Sequence, residues 1–352
     1  MSDITITIPR LGVELDRWSG LQINRSIDQG ADGFAFSVPY SPTPENLERF
    51  DPYRSLRAVI KESGEQVIEG YMEQLGYSYE TAGATLEIQG RSRVAPIIDM
   101  SAGPPFEFQN TTFKSIVNTI ATGVEGRYGA PSPGQFSVQA QSGDPDFPVT
   151  SASIDPGQTV YEFLSKLASA HGLYAIPRRS GGLVFGTLDS RRRAVATLIE
   201  GESPVNRIRT NHDLTQRFYR YTAIQSRDGE SSSASVEDTG VDNRIRGGTV
   251  VEPEQESADL SEAARFARAR ALVKSYSASA EVTGWRHDGE LWEPGDIIEV
   301  QAPSVRIMNL SRLVIRRVTM QLDENGGEMT RLDLALPELY DGSDIRGFPW
   351  AP

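Results

Sequence analysis

The sequence contains no cysteine, which excludes disulfides, thiol catalysis, iron–sulfur clusters and zinc sites with Cys ligands. This absence agrees with assembly in a reducing cytosol. Histidine is almost as scarce, because the chain has only His171, His212 and His287, in no metal-ligand spacing. We therefore expect no metal site and no cofactor.

Long apolar runs and nucleotide or hydrolase motifs are also missing. No run approaches the roughly 18 apolar residues that span a bilayer, so we expect no membrane segment. The first residues, MSDITITIPRLGVEL, lack the basic and apolar regions of a signal peptide. The sequence has no GxxxxGK[ST], no GxSxG and no GxGxxG after a strand. These absences predict no nucleotide site and no catalytic residue of the usual kinds.

Positive charge is in deficit, with 35 Lys and Arg against 48 Asp and Glu and a formal net charge of -13. Proteins that bind nucleic acid through its phosphates usually carry charge of the opposite sign. The same field disfavours an anionic membrane surface. We therefore expect neither DNA nor RNA to be bound specifically.

Glycine and proline, by contrast, are plentiful and fall between short apolar runs, which favours a mainly β chain. A length of 352 residues suggests two or three domains. In residues 1–100, Ile4, Ile6 and Ile8 alternate with polar residues, as in a half-buried strand. Ser63-Gly64 separates two further strand patterns and predicts a hairpin. The first domain is therefore predicted to be an antiparallel β-barrel or sandwich.

Residues 101–190 predict a small α/β module. Apolar residues at helical spacing from Phe113 to Ile120 are followed by Gly123, a helix stop. Thr159 and Glu162 form a capping box at the start of a second helix. The Pro- and Gly-rich stretch from Gly129 to Pro148 predicts a surface excursion between them.

Residues 191–340 predict a second β domain that contains one helix at about 260–274. The Ser-, Asp- and Gly-rich stretch at about 227–248 predicts a mobile loop. Pro294-Gly295 suits a type II turn, and Asn325 to Gly327 suits a hairpin turn. Residues 341–352 predict an extended arm.

Two groups of residues are candidates for function. Trp350 lies in the Pro- and Gly-rich arm, where a large ring is either an anchor for a neighbouring molecule or packed on its own domain. A carboxylate pair for glycoside hydrolysis could come from the acidic residues near His287, which are Asp288, Glu290, Glu293 and Asp296. A solvated loop is the simpler interpretation of that group.

Several stretches, in consistent order, resemble the baseplate hub proteins of Mu-like contractile-tail phages. That group is related in fold to the late control protein D group and to the amino-terminal region of type VI secretion spike proteins. The residues that carry the resemblance are Trp18, Ile23 to Asp28, Phe34 to Phe36, Gly90 to Arg93, Ile98 to Ser101, Gln158 to Leu164, Gly172-Leu173, Gly284 to Arg286, Leu291 to Gly295 and Gly326-Gly327.

The resemblance implies a structural virion protein with no catalytic activity. It implies a homotrimer in which each subunit has two tail-tube-like antiparallel β-barrel domains, at 1–100 and 191–340, beside the α/β module. Such a trimer joins a sixfold tail tube to a threefold central spike, contacts baseplate wedge or tail proteins, and lines a channel through which DNA passes. Assembly would take place in the host cytoplasm, for a phage, a phage-derived bacteriocin or an injection device. A tail-associated cell-wall hydrolase and a β-rich glycan-binding module remain the alternatives.

Overall fold

The computed structural model describes residues 3–54, 56–81, 83–128, 136–138, 146–169, 171, 173–186, 188, 191–215, 217–227, 230–251, 260–323, 327–341 and 348–350. Six α-helices lie in these ranges, together with short 3-10 helices at Pro9–Leu11 and Pro303–Val305. The α-helices are α1 (Pro44–Arg49), α2 (Ala95–Asp99), α3 (Phe113–Tyr128), α4 (Val160–Ser169), α5 (Leu260–Lys274) and α6 (Glu338–Asp341).

Strands make up most of the regular structure, which confirms the mainly β fold class. They are β1 (Ile4–Ile8), β2 (Val13–Glu14), β3 (Ser19–Ser26), β4 (Gly33–Tyr40), β5 (Leu56–Glu62), β6 (Glu65–Glu80), β7 (Gly83–Ser92), β8 (Glu107–Thr112), β9 (Phe136–Val138), β10 (Pro148–Ser153), β11 (Tyr174–Pro177), β12 (Leu183–Gly186), β13 (Ala196–Ile199), β14 (Val205–His212), β15 (Arg220–Arg227), β16 (Glu230–Glu237), β17 (Thr249–Val251), β18 (Tyr276–Thr283), β19 (Arg286–His287), β20 (Glu290–Leu291), β21 (Ile297–Ala302), β22 (Ile307–Asp323) and β23 (Gly327–Ala335).

The chain divides into two compact units that are not contiguous in sequence. Unit 1 comprises residues 1–188, 281–296 and 315–332, and unit 2 comprises 189–280, 297–314 and 333–352. Residues 281–296 and 315–332, which we assigned to the second β domain from sequence, therefore belong with the first part of the chain.

Unit 1 contains an antiparallel sheet in the order β22, β3, β4, β7, β6, β5, β1, β2. The alternation in β1 places Ile6 and Ile8 in the core. The hairpin predicted at Ser63-Gly64 joins β5 to β6, and both residues have positive φ, 50° and 80°. Two consecutive positive φ values define the type I′ turn that suits the twist of a two-residue hairpin.

The α/β module of unit 1 consists of β8 to β12 with α3 and α4, and it has an apolar core of its own. The capping box is confirmed: Thr159 Oγ1 accepts from the Glu162 amide at 3.1 Å, and the Glu162 carboxylate accepts from the Thr159 amide at 3.0 Å. Gly123 does not end α3, which continues to Tyr128. A single glycine weakens a helix without ending it when buried residues before it, such as Ile116 and Ile120, hold the helix in place. Most of the stretch predicted as a surface excursion, 129–148, lies outside the described residues.

In unit 2, β21 pairs antiparallel with residues 307–314 of β22 and parallel with β13. The helix predicted at 260–274 is confirmed as α5. The turn predicted at Asn325 to Gly327 lies mostly outside the described residues, although the flanking strands β22 and β23 are neighbours in the sheet.

The loop predicted at 227–248 is wrong for its first part. β15 and β16 form an antiparallel hairpin, in register from Arg220–Glu237 to Arg227–Glu230. Thr222 and Ser235 join their hydroxyl groups at 2.9 Å across this pair. The stretch has few apolar residues, but Ala234 and Val236 are half-buried. Pairing with β15 satisfies the backbone N–H and C=O groups of β16, so the strand forms although many of its side chains are hydroxyls.

Candidate functional site

Two of the motifs that carry the resemblance, at 23–28 and 291–295, meet at a buried arginine. Arg25 lies on β3, on the same side of the strand as the buried Leu21 and Ile23. Its Nε lies 3.1 Å from Asp32 Oδ2 and its Nη1 lies 2.6 Å from Glu293 Oε2. The Arg25 and Asp32 side chains are both 2% exposed.

Local structure brings Asp32 and Glu293 to this point. Asp32 precedes β4, and its carboxylate also accepts from the Ser26 amide at 3.2 Å. Glu293 begins the predicted type II turn, where Gly295 has a φ of 94° and the Asp296 amide donates to the Glu293 carbonyl at 3.3 Å. A positive φ explains why glycine follows Pro294 in this motif.

The ion pairs continue from Glu293 across unit 1. Arg179, in the turn between β11 and β12, pairs with both Glu293 and Glu65. Arg286 Nη1 lies 2.9 Å from Glu65 Oε2, and Arg286 Nε donates to Glu62 at 2.6 Å. We call the series Asp32, Arg25, Glu293, Arg179, Glu65, Arg286 and Glu62 the ion-pair chain.

The ion-pair chain connects the α/β module to the large sheet of unit 1. The Gln66 amide nitrogen donates to the Arg179 carbonyl at 2.7 Å and reinforces the same contact. Buried charges of this kind contribute little net free energy compared with apolar packing, but removing one partner is costly. We therefore expect the ion-pair chain to specify which faces meet and to hold the module in one place.

Burial and charge shift the pKa values along the ion-pair chain. Desolvation raises the pKa of Asp32 to about 6, although Arg25 opposes the shift. Desolvation acts in the same direction on Glu65, but hydrogen bonds from Arg179 and Arg286 outweigh it and lower the pKa of that carboxyl. The neighbouring carboxylates Asp32 and Glu293 raise the pKa of Arg25 despite its burial, so this guanidinium stays charged.

A second cluster joins two more of the motifs. Arg91 on β7 donates from Nε to Glu73 at 2.6 Å and from Nη1 to Asp99 at 3.1 Å. Hydrogen bonds from Arg91 lower the pKa of Asp99. The neighbouring Gly90 leaves no room for a side chain, because an added Cβ would lie 2.3 Å from both the Phe34 ring and the Tyr71 carbonyl oxygen.

Trp350, the candidate anchor, lies half-buried against rings of unit 2. Its ring centroid lies 4.9 Å from His212, 5.1 Å from Tyr276 and 4.6 Å from Phe348. The Met308 amide donates to the Pro349 carbonyl at 2.9 Å and holds the chain beside it. Packing on its own domain is therefore present, and a role as an anchor stays a prediction. The other described arm residues are Asp341, in α6, Phe348 and Pro349. Residues 342–347 and 351–352 lie outside the described part.

Only two of the four acidic residues considered for hydrolysis are exposed. Asp288 and Glu290 are exposed at the turn between β19 and β20, whereas Glu293 is paired with Arg25 and Arg179. The His287 ring packs 4.5 Å from the buried Trp292, and desolvation lowers the pKa of His287. Among the described residues, no three His, Asp or Glu side chains are grouped as a metal site.

Charge is distributed unevenly between the two units. Unit 1 contains 18 Lys and Arg against 29 Asp and Glu, and unit 2 contains 17 against 19. Most of the net negative charge therefore belongs to unit 1. No helix within the described ranges is long and apolar enough to cross a membrane.

Several solved structures of other proteins share this fold. The 43 kDa tail protein of prophage MuSo2 from Shewanella oneidensis matches with a TM-score of 0.78 and 21% identity, over 97% of this chain and 98% of that one. The E. coli c3393 protein, a type VI secretion component similar in structure to the T4 tail proteins gp27 and gp5, matches with a TM-score of 0.57 and 12% identity, over 94% and 76%. The fold is that of phage tail and baseplate proteins.

Comparison of the sequence gives a particular relative. Baseplate hub protein gp44 of Escherichia phage Mu is 27% identical over 94% of this chain and 87% of its own length. No protein-family model matches the chain. The resemblance to hub proteins of Mu-like phages is thereby confirmed.

The ion-pair chain was missed by the sequence analysis, although the signal was present. In β3 the apolar positions Leu21 and Ile23 share one face, and Arg25 lies on that face. A charged residue at an inward position of an alternating strand requires a buried partner of opposite sign.

Proposed function

We propose that this chain is the central hub of a contractile tail, a homotrimer that joins the sixfold tail tube to the threefold spike. The observation that carries the proposal is the similarity to the Mu baseplate hub protein along almost the whole chain. The fold shared with tail proteins supports it independently of sequence.

The division into two β-rich units supports the change of symmetry. Each chain has two units that contain β-sheets, so a trimer has six such units, which matches a sixfold tube. The trimer has only three copies of each unit, which matches a threefold spike. The partners are then the tail tube protein, the central spike protein and the surrounding wedge proteins. The protein assembles in the host cytoplasm and becomes part of the virion.

A channel through such a ring would carry DNA without binding it. Repulsion between carboxylates and phosphates reduces sticking during passage. The excess of acidic residues in unit 1 supports this role and predicts that unit 1 contributes more of the channel surface than unit 2. The hub in this proposal performs no catalysis, in keeping with the structural role of its relatives.

The test is the mass and shape of the protein in solution. At tens of micromolar, alone and with its cognate spike protein, we expect particles of three times the 38.6 kDa chain mass and a ring with a central hole in electron micrographs. A protein that stays monomeric under both conditions would contradict the proposal. Lysis of bacterial cell walls in a zymogram would contradict the non-enzymatic role.

A further inference from the structure

The outer half of β6 has a partner on one side only. Residues Glu65–Met72 of β6 pair with β5, from Glu62–Glu65 to Leu56–Met72. The strand continues to Glu80, and its outer half pairs with β7 from Gln74–Gln89 to Glu80–Gly83. Within the described residues, no strand pairs with 73–80 on the side that β5 occupies earlier. We call residues 73–80 the open edge.

The open edge has an apolar face, and its Tyr77 hydroxyl donates to the Phe50 carbonyl of the same chain at 2.6 Å. Leu75, Tyr77 and Tyr79 share one face and stand opposite Ile88, Leu86 and Ala84 of β7. Tyr77 is 45% exposed and Tyr79 is 84% exposed. The segment EQLGYSYE contains no proline and no lysine, which natural proteins place on edges that must not pair. Such an edge is suited to accept a strand from another molecule.

A second terminal strand has matching properties. β14 is the last strand of its sheet path and neighbours only β18 in the described part of the chain. It has 8 residues, the length of the open edge. Arg207 and Arg209 lie exposed on one of its faces, and Ile208 and Thr210 lie on the other. The Thr210 hydroxyl donates to the Val305 carbonyl at 2.8 Å, so this second face packs on its own chain.

We propose that the open edge of one copy pairs antiparallel with β14 of a second copy. Full antiparallel overlap places Tyr77 opposite Ile208 and Tyr79 opposite Asn206. It also places Arg207 and Arg209 on the polar face, near Glu80 and Glu87. Parallel overlap would instead put both arginines on the tyrosine face, and this difference decides the direction.

The two edges are different surfaces, so their contact is heterologous and can close into a ring. The charges have opposite signs, since the open edge begins and ends with glutamate and β14 carries two arginines. The inference rests on the proposed hub and deepens it, because it names the strands that join neighbouring copies.

The absence of native cysteine allows a direct test. Tyr79 and Asn206 are both exposed, so cysteine can replace either one. The variants Tyr79→Cys and Asn206→Cys are made as separate proteins, which are then mixed under assembly conditions and oxidised. Opposed strand positions have the Cβ spacing that a disulfide needs. We expect a disulfide-linked dimer in the mixture and at least tenfold less in either protein alone. The control pair is Tyr53→Cys with Asn206→Cys, because Tyr53 is 96% exposed but lies outside the strand.

Each outcome decides one of the two proposals or both. A trimer with the Tyr79–Asn206 link supports the edge pairing. A trimer without the link, or with an equal yield from the Tyr53 control, overturns the edge pairing and leaves the hub. A protein that never self-associates overturns both.

Discussion

Arg25 and Asp32 form a fully buried ion pair, with Nε and Oδ2 3.1 Å apart and both side chains 2% exposed. The pair is completed by Glu293, which lies 268 positions from Arg25 in the chain. Charges removed from water persist only with partners that satisfy them. This contact is therefore the point at which two distant stretches of sequence depend on one another.

The first prediction concerns the loss of Arg25. Arg25→Met should lower the free energy of unfolding by about 3–5 kcal/mol, because Asp32 is left buried without its counter-ion. Chemical denaturation monitored by circular dichroism measures the change. The matched control is Arg49→Met, which breaks an exposed helical pair with Glu45 and should cost less than about 1 kcal/mol. Equal losses in the two variants would show that burial of the pair does not matter.

The second prediction concerns pH. Because the folded protein raises the pKa of Asp32 to about 6, it binds this proton more tightly than the unfolded chain does. The contribution of protonated Asp32 to the free energy of unfolding is complete below the pKa that Asp32 has in the unfolded chain. It is lost as the pH rises through the folded-state pKa of about 6. Relative to Asp32→Asn, the natural protein should gain about 1 kcal/mol between pH 8 and pH 5. A difference that stays constant, or that falls toward pH 5, would contradict the raised pKa.

The third prediction concerns the docking of the α/β module. Arg179→Ala removes pairs with both Glu65 and Glu293 and should speed hydrogen exchange at residues 62–66 and 174–186. We expect a loss of about 1–2 kcal/mol, since the group is partly exposed. Arg178→Ala is the control, because Arg178 is adjacent and exposed. If both variants exchange alike, the module does not depend on the ion-pair chain.

The fourth prediction separates two roles of Trp350. Trp350→Ala removes ring contacts with His212 and Tyr276, and we expect a loss of about 1–2 kcal/mol within one chain. If Trp350 is also an anchor, the same variant should weaken assembly at least tenfold. Phe348→Ala serves as the control, because it removes the ring that stacks on Trp350 and should lower the free energy of unfolding by a similar amount. If Trp350→Ala and Phe348→Ala weaken assembly equally, Trp350 acts only through packing within its own chain.

Local patterns predicted much of the secondary structure. The capping box at Thr159, the turn at Ser63-Gly64 and the helix at 260–274 are each decided by neighbours in sequence, and each was correct. The first part of the segment 227–248, which forms β16, was predicted wrongly, because hydroxyl-rich residues have weak strand patterning by themselves. Pairing with β15 decides that β16 forms.

The sequence alone determined the strand alternation, the turns and the class of protein, because these depend on the order of residue types along short segments. It also placed one arginine on the apolar face of β3. Only the tertiary structure decided that Asp32 and Glu293 are its partners, and that the ion-pair chain runs on to Glu62. The reason is physical: a buried charge demands compensation at a point in space, and residues from any part of the chain can supply it.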